Sequence, residues 1–134
     1  MGKYNLKRSC DAPVAFEGEI LAEAGGKWQA GRELNRWHDI TAYRTRGGRY
    51  ILQIGYRTLW QGEEGHDFIF SSATLKTLVE ELVAYDPTGH VAGFPPGDQF
   101  HEKQTRLLAG VKTQYDARVA ALLAAIPGAE EMIE

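Results

Sequence analysis

Two stretches of alternating apolar and polar residues, 34–45 and 49–59, lie on either side of Arg46-Gly47-Gly48. Alternation with a period of two is typical of strands, and a short Gly-bearing connection joins antiparallel neighbours. The segment therefore predicts a β-hairpin. Because a one-residue slip in pairing sends every side chain to the opposite face, the register of this hairpin decides both faces of the sheet.

Two registers of the hairpin compete. A two-residue Gly47-Gly48 turn would place Arg46 opposite Arg49, which sets like charges together and leaves apolar residues without matching neighbours. A three-residue loop with Gly48 in the left-handed conformation gives one coherent apolar face, so we predict this second register. Its pairs are Ala42 with Leu52, Ile40 with Ile54 and His38 with Tyr56.

In the predicted register the two faces of the sheet differ in character. The outer side presents Trp37 opposite Arg57 and Tyr43 opposite Ile51, and it is therefore aromatic and basic. The other side is apolar and should face the core. The predicted core residues of the sheet are Phe16, Ile20, Ile40, Ala42, Leu52 and Ile54.

The other elements follow in order along the chain. Alternation predicts strands at 14–24 and 67–70, and helical periodicity predicts helices at about 72–85 and 99–126. Strands followed by helices indicate an α+β fold. We expect one domain, 1–134, whose antiparallel meander of about four strands within 14–70 carries two C-terminal helices packed on one face.

The connection between the two predicted helices, residues 86–99, is rich in Gly and Pro and longer than most connections in a compact domain. Such loops are often functional, so we expect Phe94 to contribute to a binding surface. The acidic tail, 128–134, should be loosely held. Trp60 follows the same alternation as Tyr56, which predicts a place at the rim of the core.

Charge is distributed unevenly along the chain. Residues 1–60 hold 10 of the 15 Lys and Arg but 6 of the 18 acids, so this part carries about +4 and the remainder about −7. Trp, Tyr and Arg are enriched at the energetic centres of protein interfaces, and cations with aromatic rings also bind single-stranded nucleic acid. A pI near 5.8 favours the protein interface, with nucleic acid or a plain solvated sheet as alternatives. The basic aromatic cluster comprises Arg32, Arg36, Trp37, Tyr43, Arg44, Arg46, Arg49, Arg57 and Trp60.

No catalytic, metal-binding or cofactor motif stands out. Glu17 and Glu19 share one strand face, but alternating glutamates usually protect an exposed edge. The histidines are scattered, and His38 is predicted to be a core histidine with a hydrogen-bond partner. We therefore expect no catalytic residue, no metal and no cofactor, and a small hydrolase using Glu19 or His38 is the last of our hypotheses.

The first hypothesis is a non-enzymatic binding protein that occupies the surface of a larger macromolecular partner. Its acidic half could imitate a phosphate backbone, as in phage or mobile-element inhibitors of nucleic-acid-handling defence complexes, an anti-CRISPR-like role. The second hypothesis is direct binding of single-stranded nucleic acid by the basic aromatic sheet face. The predicted contact residues are Trp37, Tyr43, Arg44, Arg57 and Phe94, and the predicted acidic residues are Glu63, Glu64, Asp67, Glu80, Glu81 and Asp86.

The expected partner is a protein or a nucleoprotein complex, with nucleic acid as the alternative. Small residues along the second predicted helix, or a sheet edge, would permit a homodimer. The single cysteine, Cys10, allows no internal disulfide and favours a reducing compartment. Without a signal-peptide pattern or a run of 18 apolar residues, we expect a cytoplasmic protein that does not enter a membrane.

Overall fold

The computed structural model describes residues 2–91 and 97–127. Five strands form one antiparallel sheet in the order β1-β2-β5-β6-β7, which curls as a half-barrel, and β3 and β4 form a separate short hairpin. The described elements are β1 (Gly2–Leu6), β2 (Val14–Ala24), β3 (Trp28–Gln29), β4 (Arg32–Glu33), β5 (Arg36–Thr45), β6 (Tyr50–Thr58), β7 (His66–Ser72), α1 (Leu75–Ala84) and α2 (Asp98–Ala125).

The α+β class is confirmed, but the main sheet has five strands rather than about four. The additional strand is β1, which pairs along the edge of β2 from Gly2↔Gly18 to Leu6↔Val14. No membrane-spanning helix is present among the described residues, since neither α1 nor α2 combines the required length and apolar character.

The hairpin of β5 and β6 has the predicted register. Ile40 pairs with Ile54 and Ala42 with Leu52, and all four side chains are buried. Gly48 has φ of 86°, the left-handed conformation that the three-residue loop requires. The local chemistry of the turn and the pairing of apolar residues therefore fix both faces of these strands.

The turn gives a first testable prediction, because only one of its two glycines needs to be glycine. Gly48→Ala should lower the free energy of unfolding by about 1 kcal/mol, since a Cβ disfavours the left-handed region. Gly47→Ala is the matched control: Gly47 lies outside that region, and an added Cβ would meet nothing closer than Thr45 Oγ1 at 3.9 Å. Urea unfolding of both variants checks this, and equal destabilisation would contradict it.

A bulge in β2 overturns part of the predicted core. Ile20 pairs with Tyr43 but Ala22 pairs with Ala42, so β2 contains one extra residue between these positions. In the first half of β2 the side chains of Phe16 and Ile20 consequently lie on the face of the sheet away from the helices. There Ile20 is 44% exposed, and the centroid of the Phe16 ring lies 5.2 Å from that of the Tyr43 ring. The prediction that Phe16 and Ile20 belong to the main core is therefore wrong.

The two helices cover one face of the sheet, as predicted. Thr74 caps α1 by accepting a hydrogen bond from Thr77 N, so the helix begins after Ser71 and Ser72, which belong to β7. A smaller apolar cluster of Leu6, Tyr43 and Ile51 lies on the opposite face of the sheet. The buried apolar residues of the main core are Ala22, Ile40, Ala42, Leu52, Ile54, Leu78, Val79, Leu82, Tyr115, Leu122, Leu123 and Ile126.

Candidate functional site

The residues predicted to form the contact face do not form one open surface. Tyr43 is 5% exposed, and its hydroxyl donates to Gln53 Oε1 at 3.2 Å. Trp37 is half-buried, whereas Arg44 is exposed and, as the residue after Tyr43 in a strand, projects from the opposite face. Phe94 lies outside the described residues.

Arg57, the remaining predicted contact residue, already has protein partners. Its Nη2 donates to Asp67 Oδ1 at 2.7 Å, and its Nε lies 3.6 Å from Asp39 Oδ2. The guanidinium is therefore flanked by two carboxylates. The sheet face consequently offers less free charge and less accessible aromatic area than its sequence suggests.

The predicted acidic face is also divided. Glu63 has a side chain that is 3% exposed and pairs with Arg36, so it does not lie on the surface. Asp67 is engaged with Arg57. Glu64 and Glu80 are exposed and Glu81 is half-exposed, so these three retain the predicted accessibility.

A groove of about 560 Å³ lies between the β3–β4 hairpin, the beginning of β5, the chain after β6 and the middle of α2. Segments that are distant in sequence meet here, since its walls come from residues 29–36, Trp60 and 106–114. We call it the Trp60 groove. Its lining residues are Gln29, Ala30, Arg32, Glu33, Leu34, Asn35, Arg36, Trp60, Arg106, Leu107, Gly110, Val111, Thr113 and Gln114.

The β3–β4 hairpin that forms one wall is held against α2. Its turn residues Ala30 and Gly31 both have positive φ, 51° and 77°, as a two-residue hairpin turn requires. The guanidinium of Arg118 donates from α2 to the carbonyl oxygens of Gly26 and Trp28, at 2.6 and 2.9 Å. The hairpin is thus attached to the helix at its base.

An ordered array of charged and aromatic side chains supports the groove. Arg36 Nε donates to Glu63 Oε2 at 2.9 Å, and the Tyr56 hydroxyl donates to Glu63 Oε1 at 2.6 Å. The Arg36 guanidinium carbon lies 4.9 Å from the centroid of the Trp60 ring, a cation–π contact. The buried carboxylate therefore positions the arginine, and the arginine supports the indole.

Electrostatics keep this ion pair charged. Burial raises the pKa of the Glu63 carboxyl, but hydrogen bonds from Arg36 and Tyr56 and the arginine's charge outweigh it, so the pKa lies below its ordinary value. Burial lowers the pKa of Arg36, and the interactions with Glu63 reverse that effect, giving a net increase. Both groups are consequently ionised at neutral pH.

Behind the groove, His38 is completely buried and forms hydrogen bonds with Gln114. Gln114 Oε1 accepts from His38 N at 2.6 Å, and Gln114 Nε2 lies 3.3 Å from His38 Nδ1. Because the amide nitrogen can only donate, Nδ1 is the acceptor and the imidazole proton is on Nε2, which has no hydrogen-bond partner among the described residues. Tyr56 and Tyr115 surround the ring, with centroids 5.3 and 5.0 Å away. His38 is thus a core histidine, as predicted.

The surface of the Trp60 groove combines free positive charge with exposed apolar area. Arg32 and Arg106 are exposed, and neither has a carboxylate partner among the described residues. Trp60 is 50% exposed, and its neighbour Leu59 is 57% exposed. Trp28, at the base of the hairpin, is 59% exposed. The prediction that Trp60 fills the rim of the core is therefore wrong.

His66 and His90 form a second cluster, with ring centroids 4.0 Å apart. Burial, followed by the proximity of His66, lowers the pKa of His90. Nowhere in 2–91 and 97–127 do three or more His, Cys, Asp or Glu side chains gather in a way that could hold a metal ion. Among these residues the histidine pair therefore has no third side chain to complete a metal site.

No protein-family model, no curated protein and no solved structure matches this chain. What the Trp60 groove binds has to be inferred from its own chemistry.

Proposed function

We propose that this protein is a non-enzymatic binding protein that docks on a larger macromolecular partner through the Trp60 groove. The observation that carries the proposal is the exposure of Trp60, which lines the groove and is 50% exposed, while Leu59, the preceding residue in the chain, is 57% exposed. Isolated exposed apolar residues are common on folded proteins, but a half-exposed aromatic ring in a concave surface, beside charged and polar groups, is typical of a binding site.

Preorganisation of the walls supports this role. Arg36 supports the Trp60 ring, and Arg118 attaches the β3–β4 hairpin to α2 through two backbone carbonyls. A side chain that is already held in place loses less conformational entropy when a partner binds. Trp60 is therefore suited to act as an aromatic anchor.

Charge at the groove also supports this role. Arg57 on the sheet face is flanked by Asp39 and Asp67, whereas Arg32 and Arg106 at the groove have no carboxylate partner among the described residues. Unpaired arginines attract an acidic partner and align it as it approaches. The geometry thus supports a docking surface with a positive rim.

The inhibitor version of the proposal depends on acidic residues elsewhere on the molecule. With Glu63 and Asp67 engaged in ion pairs, imitation of a phosphate backbone would rest on Glu64, Glu80, Glu81 and Asp86. Charge reversal at Glu80 and Glu81 should then weaken partner binding. Unchanged binding in that variant would remove the mimicry version while leaving docking through the groove intact.

Photo-crosslinking tests the docking surface directly. A photoreactive benzoyl-phenylalanine in place of Leu59 should crosslink to a discrete partner in a lysate of the native cells, because residue 59 is exposed and immediately precedes Trp60, which lines the groove. Adding Trp60→Ala and Arg106→Glu should reduce that crosslink at least about tenfold, the loss expected for an interfacial anchor. Mass spectrometry of samples with and without nuclease identifies the partner.

The control places the same photoreactive residue at Ser71, which is exposed on β7 far from the groove in the pairing order of the sheet. We expect no specific crosslink there. Crosslinks from position 71 but not from 59 would show that the sheet face, rather than the groove, is the docking surface. Crosslinks from neither position would contradict the docking function.

A further inference from the structure

Resting on the proposed docking function, we propose that the occupant of the Trp60 groove is a segment of single-stranded nucleic acid. One base stacks on Trp60, and neighbouring phosphates contact Arg32 and Arg106. This differs from the sheet-face site in both location and residues. The proposal depends on three features of the groove, which are its aromatic platform, its unpaired cations and the polar groups on its walls.

The aromatic platform is the indole of Trp60. Its ring lies over the Arg36 guanidinium, which the buried carboxylate of Glu63 fixes, and half of the side chain remains exposed. Every nucleic-acid base has a flat face that can stack on such a ring, whereas bases inside a duplex have their faces covered. The platform therefore selects an unpaired base over a base pair.

The unpaired cations come from two different elements on the walls of the groove. Arg32 lies on β4 and Arg106 on α2. The other charges at the groove neutralise one another, since Glu33 pairs with Lys27 at 3.0 Å and Arg36 pairs with Glu63. Two arginines thus remain for anionic groups, and their planar guanidinium groups suit phosphate oxygens.

The interior of the groove favours a nucleotide over an acidic peptide. Asn35 lines it with an amide, which can donate to and accept from the edge of a base, and the Thr113 hydroxyl, which donates to the carbonyl oxygen of Ala109 at 2.9 Å, can still accept. The volume of about 560 Å³ lies within the range of pockets that enclose small organic groups. An aromatic ring beside two free arginines matches the alternation of base and phosphate along a strand.

Fluorescence anisotropy with a 5′-fluorescein-labelled, mixed-sequence 12-nucleotide single strand tests this, in DNA and RNA versions. We expect wild-type protein to bind the strand and Trp60→Ala to lose at least about tenfold in affinity, the effect of removing one stacked base. With two phosphate contacts, wild-type affinity should fall about sevenfold between 50 and 200 mM NaCl. In Arg106→Glu, binding should be weaker and this fall only about threefold.

Matched variants and competitors make each outcome decisive. Arg44→Glu makes the same charge change at an exposed arginine outside the groove and should alter affinity less than twofold. Duplex DNA and polyglutamate of equal charge should compete poorly. Equal competition by polyglutamate, equal binding of duplex, or a loss in Trp37→Ala but not in Trp60→Ala would overturn the proposal.

Failure of this inference can be distinguished from failure of the docking function. No binding of either strand, together with a groove-dependent crosslink from position 59 to a nuclease-resistant protein, would mean that the groove docks a protein. Absence of both strand binding and crosslinking would remove the docking function as well.

Discussion

Glu63→Ala should destabilise the fold by about 3 kcal/mol or more, although a glutamate in a Gly-rich loop is normally expected to be exposed. The Glu63 side chain is 3% exposed, and the Arg36 side chain that pairs with it is 11% exposed. Removing one partner of a buried ion pair leaves an uncompensated charge in a poorly solvated place, which typically costs about 3–5 kcal/mol. The Tyr56 hydroxyl would also lose its acceptor.

Glu64→Ala is the matched control for this prediction. Glu64 is the next residue, carries the same charge and is exposed, so its removal should change stability by less than about 0.5 kcal/mol. Urea unfolding of both variants provides the comparison. Similar midpoints for Glu63→Ala and wild type would show that the ion pair contributes little to the folded state.

A double substitution distinguishes the effect of leaving a buried charge unpaired from the effect of removing side-chain volume. Replacing Arg36 and Glu63 together with Met and Leu should recover much of the lost stability, because no buried charge is then left without a partner. The same double variant should still bind less single-stranded nucleic acid, since Trp60 loses the guanidinium beneath its ring. Recovery of stability together with unchanged binding would show that Arg36 does not position Trp60 for binding.

The register of the central hairpin could be predicted because it depends on neighbours in the sequence. Gly48 permits the left-handed turn, and Ile40 and Ala42 find apolar partners in only one of the two registers considered. The bulge in β2 could not be predicted in this way. The alternation of 14–24 continues through the bulge without interruption, and only pairing with β5 reveals the extra residue.

The candidate site was harder to predict because it is assembled from distant segments. Arg32, Arg36 and Trp60 stand out in sequence as part of a basic aromatic cluster, but Arg106 on α2 carries no local signal. The predicted position of Trp60 is wrong because strand alternation applies only as far as Thr58, where β6 ends. The burial of Glu63 likewise depends on tertiary contacts.

Acidification should produce a second large loss of stability, through His38. Burial is the main cause that lowers the pKa of its imidazole from 6.5 to about 4. The hydrogen bond with Gln114 and the charge of Asp39 raise the pKa in part. The charges of Arg57 and His90 lower it further. In the unfolded chain the imidazole binds a proton near pH 6.5, but in the folded protein it does so only near pH 4. Lowering the pH through this interval therefore favours the unfolded state.

The size of the effect follows from the difference in proton affinity. Each tenfold difference is worth about 1.4 kcal/mol, so a pKa that falls from 6.5 to about 4 corresponds to about 3 kcal/mol. This contribution is fully present above pH 6.5 and is lost progressively as the pH falls to 4. Glu63, whose pKa is lowered, adds its own loss only below about pH 4.5, so between pH 5 and 6.5 the loss comes from His38 together with His90, whose pKa is also lowered.

Two measurements check the role of His38. Urea unfolding at pH 6.5 and pH 5 should show a clear decrease in stability for wild type, and this decrease should be clearly smaller in His38→Gln, which cannot titrate at this position and leaves only the contribution of His90. Should that variant fail to fold, an NMR titration of the wild-type imidazoles decides the matter. The His38 signal should not shift until the pH approaches 4. A His38 signal that titrates near pH 6.5 would show that the folded protein accepts the proton at this site.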